Sequence, residues 1–337
     1  MNYIFCTLFD SGYLSRGLAL YYSLESYCKK FHLYIFAFDN IIYEILIGLK
    51  LKSATIISLS EFEDKQLLQV KQSRNRAEYC WTSTSSTILY CLVNFDIDHC
   101  TYLDADLYFF SSPQPIFEEI GNASIALTKH NYTKIYDQSL TSGMYCVQFV
   151  YFKNDKEGLN ALKWWRNSCI DWCYARLENG KFGDQKYLDD WTERFSNVHI
   201  ITHLGAGVAP WNIQQYVLLN YDTLPLQYLE KKNNKYFSLI FYHFHNLRFN
   251  VKNNLAVVEP SKFNLSFIDQ EKLYVPYINR LLKIEESLKN YNKNDNYIIL
   301  FKKNIFILKI YLMLRLFLKK FTLFQQINSF LNKSSRS

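Results

Sequence analysis

An α/β fold, with a mixed but mainly parallel sheet flanked by helices, is what this sequence predicts, and three observations predict it. Short apolar runs alternate with helically spaced segments through the first 110 positions, the pace of a parallel sheet with crossover helices. Acidic residues recur just after those runs, at Asp10, Asp39 and the Asp104/Asp106 pair, where such sheets collect their ligands. Aromatics make up 18% of the 337 residues while Gly and Pro number only 10 and 6, so the chain has a sizeable core and is not disordered.

The elements follow in order. Tyr3–Phe9 reads as a buried strand, the "DSGY" after it as a turn, and "LSRGLALYYSLESYCKK" as a helix with a basic end. "LYIFAFD" is a second strand ending at Asp39, Ile41–Leu49 a helix and "ATIISL" a third strand. "EDKQLLQVKQ" and "STSSTILYCLVNF" are helical, and Thr101–Phe110 is the next strand. "SIALTKH" and "SGMYCVQFVYF" follow as strands. "GLNALKWWRNSCIDWCYARLENG" reads as one long helix ending at Gly180, and "GDQKYLDDW" opens another. "VHIITHL" and "YFSLIFYHFH" are the last strands. No repeat and no Pro/Gly/Ser linker interrupts residues 1–258, which are expected to form one domain.

Residues 259–337 are expected to be a helical extension of different character. From Phe301 to Ser337 there are eight Lys or Arg and no acid; without those eight, 30 of the 38 basic residues remain against 31 acids. The body is near neutral, which argues against a nucleic-acid surface. The tail is too interrupted by charge to span a bilayer, but a basic, aromatic-rich helix can lie on an anionic membrane. Packing on the core or on a second subunit is the alternative. The eight cysteines lack CxxC spacing and sit mostly in apolar segments, as free thiols of a reducing compartment do. The first apolar run has no basic stretch before it, so it reads as a strand rather than a signal peptide. The expected place is the cytoplasm, with the tail at the inner face of the plasma membrane.

The chemistry centres on "TYLDADLYFF". With a strand's period of two, Asp104 and Asp106 emerge on one face with Cα atoms roughly 6.6 Å apart. Two anions that close need a cation, a base or bulk water. Hard divalent ions take carboxylate oxygens and leave positions open for phosphate, so the pair can hold Mn²⁺ or Mg²⁺ against a nucleoside diphosphate. A hydrogen-bonded pair at a sheet edge is the plain alternative, and Asp96-Ile97-Asp98 shows that the DxD spacing alone is common.

The order of several such segments resembles the GT-A nucleotide-sugar glycosyltransferases, most closely the retaining family of glycogenin and the bacterial lipopolysaccharide galactosyltransferases. The resemblance covers roughly residues 3–250 and implies a GT-A, Rossmann-like sheet. In "TLFDSGY" it implies Thr7, Asp10 and Tyr13 at the nucleoside, with Asp39 beyond the second strand. In "YLDADL" it implies Asp104 and Asp106 as metal ligands. "TSGMYCV" resembles the segment lining the sugar site, implying Ser142 and Gly143. "FGDQKYL" implies Asp184 and Gln185 beside the transferred sugar. The family's His and Lys-Pro-Trp segment has two counterparts. "HLGAGVAPWN" has the spacing but puts Ala206 and Ala209 where Gly and Lys belong; "YHFHNLRF" follows the last strand and supplies His243, His245 and Arg248. His243 is preferred as third ligand, then His245 or His203, with Arg248 as the phosphate cation and Asn212 lining the site.

Each of these has a plainer counterpart: core histidines, a helix cap at Asp184, core tryptophans at Trp164, Trp165, Trp172 and Trp191. Arg74 and Arg76 could meet phosphates or a solvated loop equally well. The function implied is transfer of a hexose from a nucleotide-sugar, UDP-hexose first, to a glycan or lipid-linked acceptor of cell-surface polysaccharide such as lipopolysaccharide, with retention. A non-catalytic sugar- or nucleotide-binding module is the alternative. A nucleotidyltransferase fits less well, because "FDSGYLSRG" lacks the Lys of a phosphate loop.

Overall fold

A computed structural model describes residues 2–220, 223–252, 255–259, 263–288 and 298–301. The first strand, β1 (Tyr3–Phe9), is buried along its whole length, as expected of a strand covered on both faces. Asp10 caps a single 3-10 turn that leads into α1 (Leu14–Tyr27). Strands β2 (Phe31–Ala37) and β3 (Ala54–Ser58) flank α2 (Asn40–Leu49), which Asp39 caps through the Ile42 amide. Two short helices, α3 (Leu59–Phe62) and α4 (Lys65–Lys71), precede α5 (Arg76–Asn94). Asn75 and Glu78 form a reciprocal capping box that sets where α5 begins.

Strand β4 (His99–Leu103) completes the parallel half. The chain then turns into β5 (Leu107–Phe109), helix α6 (Gln114–Ile120) and the strands β6 (Ile125–Lys129) and β7 (Tyr145–Lys153), with one helical turn, α7 (Ser139–Ser142), before β7. Helix α8 (Lys156–Asp171) starts at an Asp155 cap, and the one-turn α9 (Trp191–Arg194) precedes β8 (Val198–Ile200). The resulting seven-stranded sheet has the order β3-β2-β1-β4-β7-β6-β8. Only the pairings of β7, with β4 and with β6, are antiparallel; the other four are parallel.

Alternation along β1 divides the core in two. Tyr3, Phe5 and Phe9 face a cluster that includes Leu18, Leu24, Leu46 and Phe117. Ile4, Cys6 and Leu8 face another with Ile88, Leu92, Leu162 and Trp165. Helices therefore cover both faces. Trp165 and Trp191 are fully buried and meet edge to face, with ring centroids 5.5 Å apart.

Beside the main sheet lies a small one of order β5-β13-β9, made with β9 (Ala206–Val208) and β13 (Phe241–His243). A further sheet joins β10 (Tyr216–Leu218), β11 (Gln227–Glu230) and β12 (Lys235–Ser238).

Five expectations are corrected. Thr101–Phe110 is not one strand: it stops at Leu103 and resumes at Leu107 in a different sheet. "YFSLIFYHFH" likewise splits into β12 and β13. The helix expected to reach Gly180 ends at Asp171, so Cys173 lies beyond it. The core runs past the boundary expected at Val258. Helix α11 (Val275–Ser287), which follows the short turn α10 (Phe267–Asp269), buries Tyr277, Ile278 and Leu281 in the first cluster. Phe244 stacks on Tyr277 at 3.7 Å. Residues 298–301, read as the start of the basic helix, form a strand, β16 (Ile298–Phe301). It pairs with β15 (Leu255–Glu259), which also pairs with β14 (Arg248–Lys252). The rest of the basic tail, residues 302–337, lies outside the described residues.

Gly205 controls how β13 is seated. Its carbonyl accepts from the Ile240 and Phe241 amides, and a Cβ there would lie 2.0 Å from the Ser238 carbonyl oxygen. Gly205→Ala is expected to destabilise the fold by roughly 1–3 kcal/mol in urea unfolding, because neither backbone can yield without separating β9 from β13. An unchanged midpoint would refute that account.

Candidate active site

Three parallel strands end at one edge of the main sheet, and each hands over to an acid. After β1, Asp10 accepts from the Gly12 amide at 2.9 Å. After β2, Asp39 takes the Ile42 amide at 2.9 Å and the Ser11 amide at 2.8 Å. Arg76, the first residue of α5, joins them: its Nε pairs with Asp10, and its Nη2 lies 3.6 Å from Asp39. Arg74 behaves differently from Arg76. It is buried, stacks 3.9 Å over the Tyr174 ring and donates to the Ile170 carbonyl at 3.1 Å, tying the loop before α5 to the end of α8. Thr7 is buried within β1, and its hydroxyl has no hydrogen-bond partner among the described residues.

The third strand end carries the acid pair. Asp104, Ala105 and Asp106 form the turn between β4 and β5, closed by the Leu107 amide donating to the Asp104 carbonyl at 3.1 Å. Strand β5 runs antiparallel to β13 with Leu107 opposite His243. That register brings the carboxylates against the imidazole. His243 Nε2 lies 3.0 Å from Asp106 Oδ1 and 3.7 Å from Asp104 Oδ2, and one ligating atom from each of the three falls within 4.8 Å of the others. His243 Nδ1 is 2.9 Å from Gln148 Oε1. A carbonyl oxygen only accepts, so Nδ1 carries the proton and Nε2 faces the acids. Two carboxylates and one imidazole nitrogen are a donor set suited to Mn²⁺ or Mg²⁺.

Among the three candidate histidines, His243 is the one gathered with the acids. His245 lies beside it, ring centroids 5.5 Å apart, and both pack on the edge of Trp211. His203 sits elsewhere, its Nδ1 accepting from the Gly205 amide at 3.1 Å and its backbone amide bonded to Glu119.

Charge is unevenly held in this group. Burial works to raise both carboxyls. At Asp106 the adjoining imidazolium outweighs it and holds the group down to about 2. At Asp104 burial prevails, with the Asp106 charge adding to it against the pull of His243, and the group is pushed up to about 6. Burial opposes charging of His243, but Asp106 overrides it and raises the imidazole well above its ordinary value. Tyr13 faces the same pair: the charge on Asp106, then burial, push its phenol up to about 12.

Arg16 is a component that sequence reasoning missed. It is only 4% exposed and spans the site's flank, donating to the carbonyls of Gly12 at 3.1 Å, Leu247 at 3.0 Å and Phe249 at 3.3 Å. Its guanidinium lies 4.4 Å over the Tyr13 ring and helps hold Asp106 ionised. The available signal was an arginine inside an otherwise apolar helix face, "LSRGLAL". Arg248, expected to meet phosphate, opens β14 and is exposed, between Leu247 and Phe249, two of the three residues whose carbonyls receive Arg16.

Asp184 is buried at the start of the "DQKYL" turn, and Trp165 Nε1 donates to its carbonyl at 2.9 Å. Burial first, then the charge on Asp104, push its carboxyl up to about 7, while the Thr84 hydroxyl and the Gln185 amide pull the other way. Gln185 itself is half-buried beside it. The Ser142–Gly143 segment is clamped to this turn. Lys186 Nζ donates to the Ser139 carbonyl at 2.9 Å and pairs with Asp189 at 2.8 Å, and Asp189 accepts from the Met144 amide at 2.7 Å. Gly143 is needed there: its φ is +97°, and a Cβ would sit 2.9 Å from Asp189 Oδ1. Asn212 is buried and committed to backbone, donating to the carbonyls of His130 and Gly207 at 2.8 and 2.9 Å and accepting from the Ala209 amide at 2.9 Å. Its visible role is to fasten the "APWN" loop to the His130 and Gly207 carbonyls.

One other group of ligating atoms is close together: the sulfurs of Cys6, Cys91 and Cys100 lie within 4.8 Å of one another. All three are fully buried in the apolar second core, where burial pushes the Cys91 and Cys100 thiols up. They are small hydrophobes there, like the other free cysteines.

The raised Asp184 carboxyl has a measurable consequence. Its folded value of about 7 exceeds its unfolded one of 3.8, so the stability it confers is full below the unfolded value and lost as pH rises through the folded one. In metal-free buffer, Asp184→Asn is therefore expected to gain stability relative to the parent steadily between about pH 4 and pH 7 and to level off above that. Denaturant midpoints that shift equally at all pH values would contradict it.

No protein-family model matches the chain. It is similar to the bifunctional glycosyltransferase WbbM in its apo structure, with a TM-score of 0.51 and 12% identity over 87% of this chain and 52% of that one. Both have the GT-A fold. The uncharacterized protein YfnD of Bacillus subtilis (strain 168) is 32% identical over 288 residues, 81% of this chain and 87% of that protein. The uncharacterized protein YfnF of the same organism is 31% identical over 279 residues, 80% of this chain and 90% of that protein. At that identity and coverage, the chain belongs to the family of YfnD and YfnF.

Proposed function

We propose that the chain is a metal-dependent glycosyltransferase. It would transfer a hexose from a nucleotide-sugar, UDP-hexose first, to a glycan or lipid-linked acceptor of cell-surface polysaccharide, with retention at the anomeric carbon. The observation that carries this reading is the convergence of Asp104, Asp106 and His243 at the carboxyl edge of a GT-A sheet.

Asp104, Asp106 and His243 Nε2 would hold Mn²⁺ or Mg²⁺, which when bound supplies a Lewis acid for the departing nucleoside diphosphate. Asp10, Tyr13 and Asp39 receive the nucleoside, and Arg76, now paired with two of them, lies where it would compete with or contact that ligand. Gly143 keeps the "TSG" backbone close to the "DQ" turn, so Ser142, Asp184 and Gln185 can hold the sugar as one wall. The transition state at the anomeric carbon resembles an oxocarbenium ion. Two routes give retention: a leaving phosphate oxygen takes the acceptor proton on the same face, or Asp184 or Gln185 supports or attacks the cationic carbon. Asp184 acts in either role as the anion, so its raised carboxyl must lose its proton first.

The test is nucleotide release from UDP-, GDP- and TDP-sugars with Mn²⁺, Mg²⁺ or EDTA. One donor is expected to be hydrolysed only with metal, and Asp104→Asn and Asp106→Asn each to lose at least about a hundredfold, since a metal contributes several kcal/mol at about 1.4 kcal/mol per tenfold. Absence of release together with absence of metal-dependent nucleotide binding by calorimetry would leave a non-catalytic binding module as the better reading.

The basic tail supports a place for this activity. No helix among the described residues is long and apolar enough to cross a membrane, and the eight cations of residues 302–337 stand without an acid. We read that segment as a contact with anionic lipid at the cytoplasmic face, where a lipid-linked acceptor would be met. Deleting residues 302–337 is expected to abolish flotation with anionic vesicles while neutral vesicles bind neither form. Equal flotation of both forms would end that idea.

A further inference from the structure

We propose that Gln148 is the positioning residue of the metal site, fixing Asp104 through its backbone and His243 through its side chain. The inference rests on the metal reading above and adds to it the group that presents two of the three ligands. Gln148 lies at the middle of β7, with apolar or aromatic residues on both sides, and is fully buried. A primary amide in such a place is expected only where its hydrogen bonds are made.

They are made in one direction. The Thr128 hydroxyl donates to the Cys146 carbonyl at 3.3 Å, which leaves its oxygen as an acceptor. Gln148 Nε2 donates to that oxygen at 3.4 Å, so the other end of the amide, Oε1, is turned to His243. There it accepts the Nδ1 proton at 2.9 Å. With Nδ1 protonated, the lone pair available to a metal is on Nε2, the atom nearest Asp106. The Gln148 backbone carbonyl meanwhile accepts from the Asp104 amide at 3.1 Å, at the point where β4 ends and the turn begins. Room for the amide is kept by Gly207, whose φ is +103° and where a Cβ would stand 2.8 Å from Gln148 Nε2.

The test uses the full chain with Gln148→Leu, Gln148→Glu and Thr128→Val, each checked for folding by its thermal midpoint. Mn²⁺ affinity is read by electron paramagnetic resonance of the free ion. The His243 Nδ1 proton is read in metal-free protein as a slowly exchanging imidazole signal. Gln148→Leu is expected to weaken Mn²⁺ about 10- to 100-fold, as loss of an outer-shell partner does, and to lose the proton signal. Gln148→Glu, which still offers an acceptor to Nδ1, is expected to keep both. Should Gln148→Leu fail to fold, Thr128→Val decides: it frees the far end of the amide only, and is expected to weaken Mn²⁺ by a smaller factor with a faster-exchanging proton. A change in only one of the two readouts overturns the proposal, as does a change in neither. Parent protein that binds no Mn²⁺, while Asp104→Asn behaves the same, overturns the metal reading and this inference with it.

Discussion

The site depends on a strand that stops. Had β4 continued past Leu103, Asp104 and Asp106 would stand on one face of an extended ribbon, open to solvent and remote from the imidazole. The chain turns at Asp104 to Asp106 instead, and Leu107 re-enters a different sheet opposite His243. Two sheets thus share one chain at the point where the acids sit. Neither acid needs to be drawn toward the histidine, because the register of β5 with β13 delivers the histidine to both.

That arrangement concentrates charge in a small volume. Two carboxylates this close favour a cation strongly, and without an ion the protein supplies one itself by holding His243 protonated. The consequence is a proton held between the imidazole and the carboxylates, which partly offsets their charge. Arg16, tied to three carbonyls, adds a cation that cannot leave. The preference between the two acids, with Asp106 firmly ionised and Asp104 close to titrating, follows from which of them lies nearer the imidazole.

The second wall is assembled by contacts distant in sequence. Lys186 and Asp189 clamp the "TSG" segment to the turn after Asp184, and Trp211 and Asn212 fasten the "APWN" loop to the His130 carbonyl. The loop's Trp211 then forms the edge on which His243 and His245 rest. The two segments that looked like rivals for one role are therefore neighbours with different roles: "YHFHN" supplies the imidazole beside the acids and "APWN" the aromatic edge it rests on.

Periodicity and termini made the architecture legible. Alternating apolar runs and helical segments established the parallel half of the sheet, and the acids after β1, β2 and β4 marked its carboxyl edge, because both depend on neighbours within a few residues. The same local logic overextended three segments. "TYLDADLYFF" and "YFSLIFYHFH" are apolar enough to read as single strands, and nothing nearby in sequence says that each must divide to serve two sheets. The aromatic helix read to Gly180 ends at Asp171, where Trp172 turns extended. The separation of Arg74 from Arg76 and the parts taken by Arg16 and Gln148 all lay beyond local pattern. Each is set by partners about 90 or more residues away (Arg16 with Leu247, Gln148 with His243, Arg74 with Ile170). Residue type and spacing specify which chemistry a chain can perform; strand register and burial specify which of its candidate groups meet.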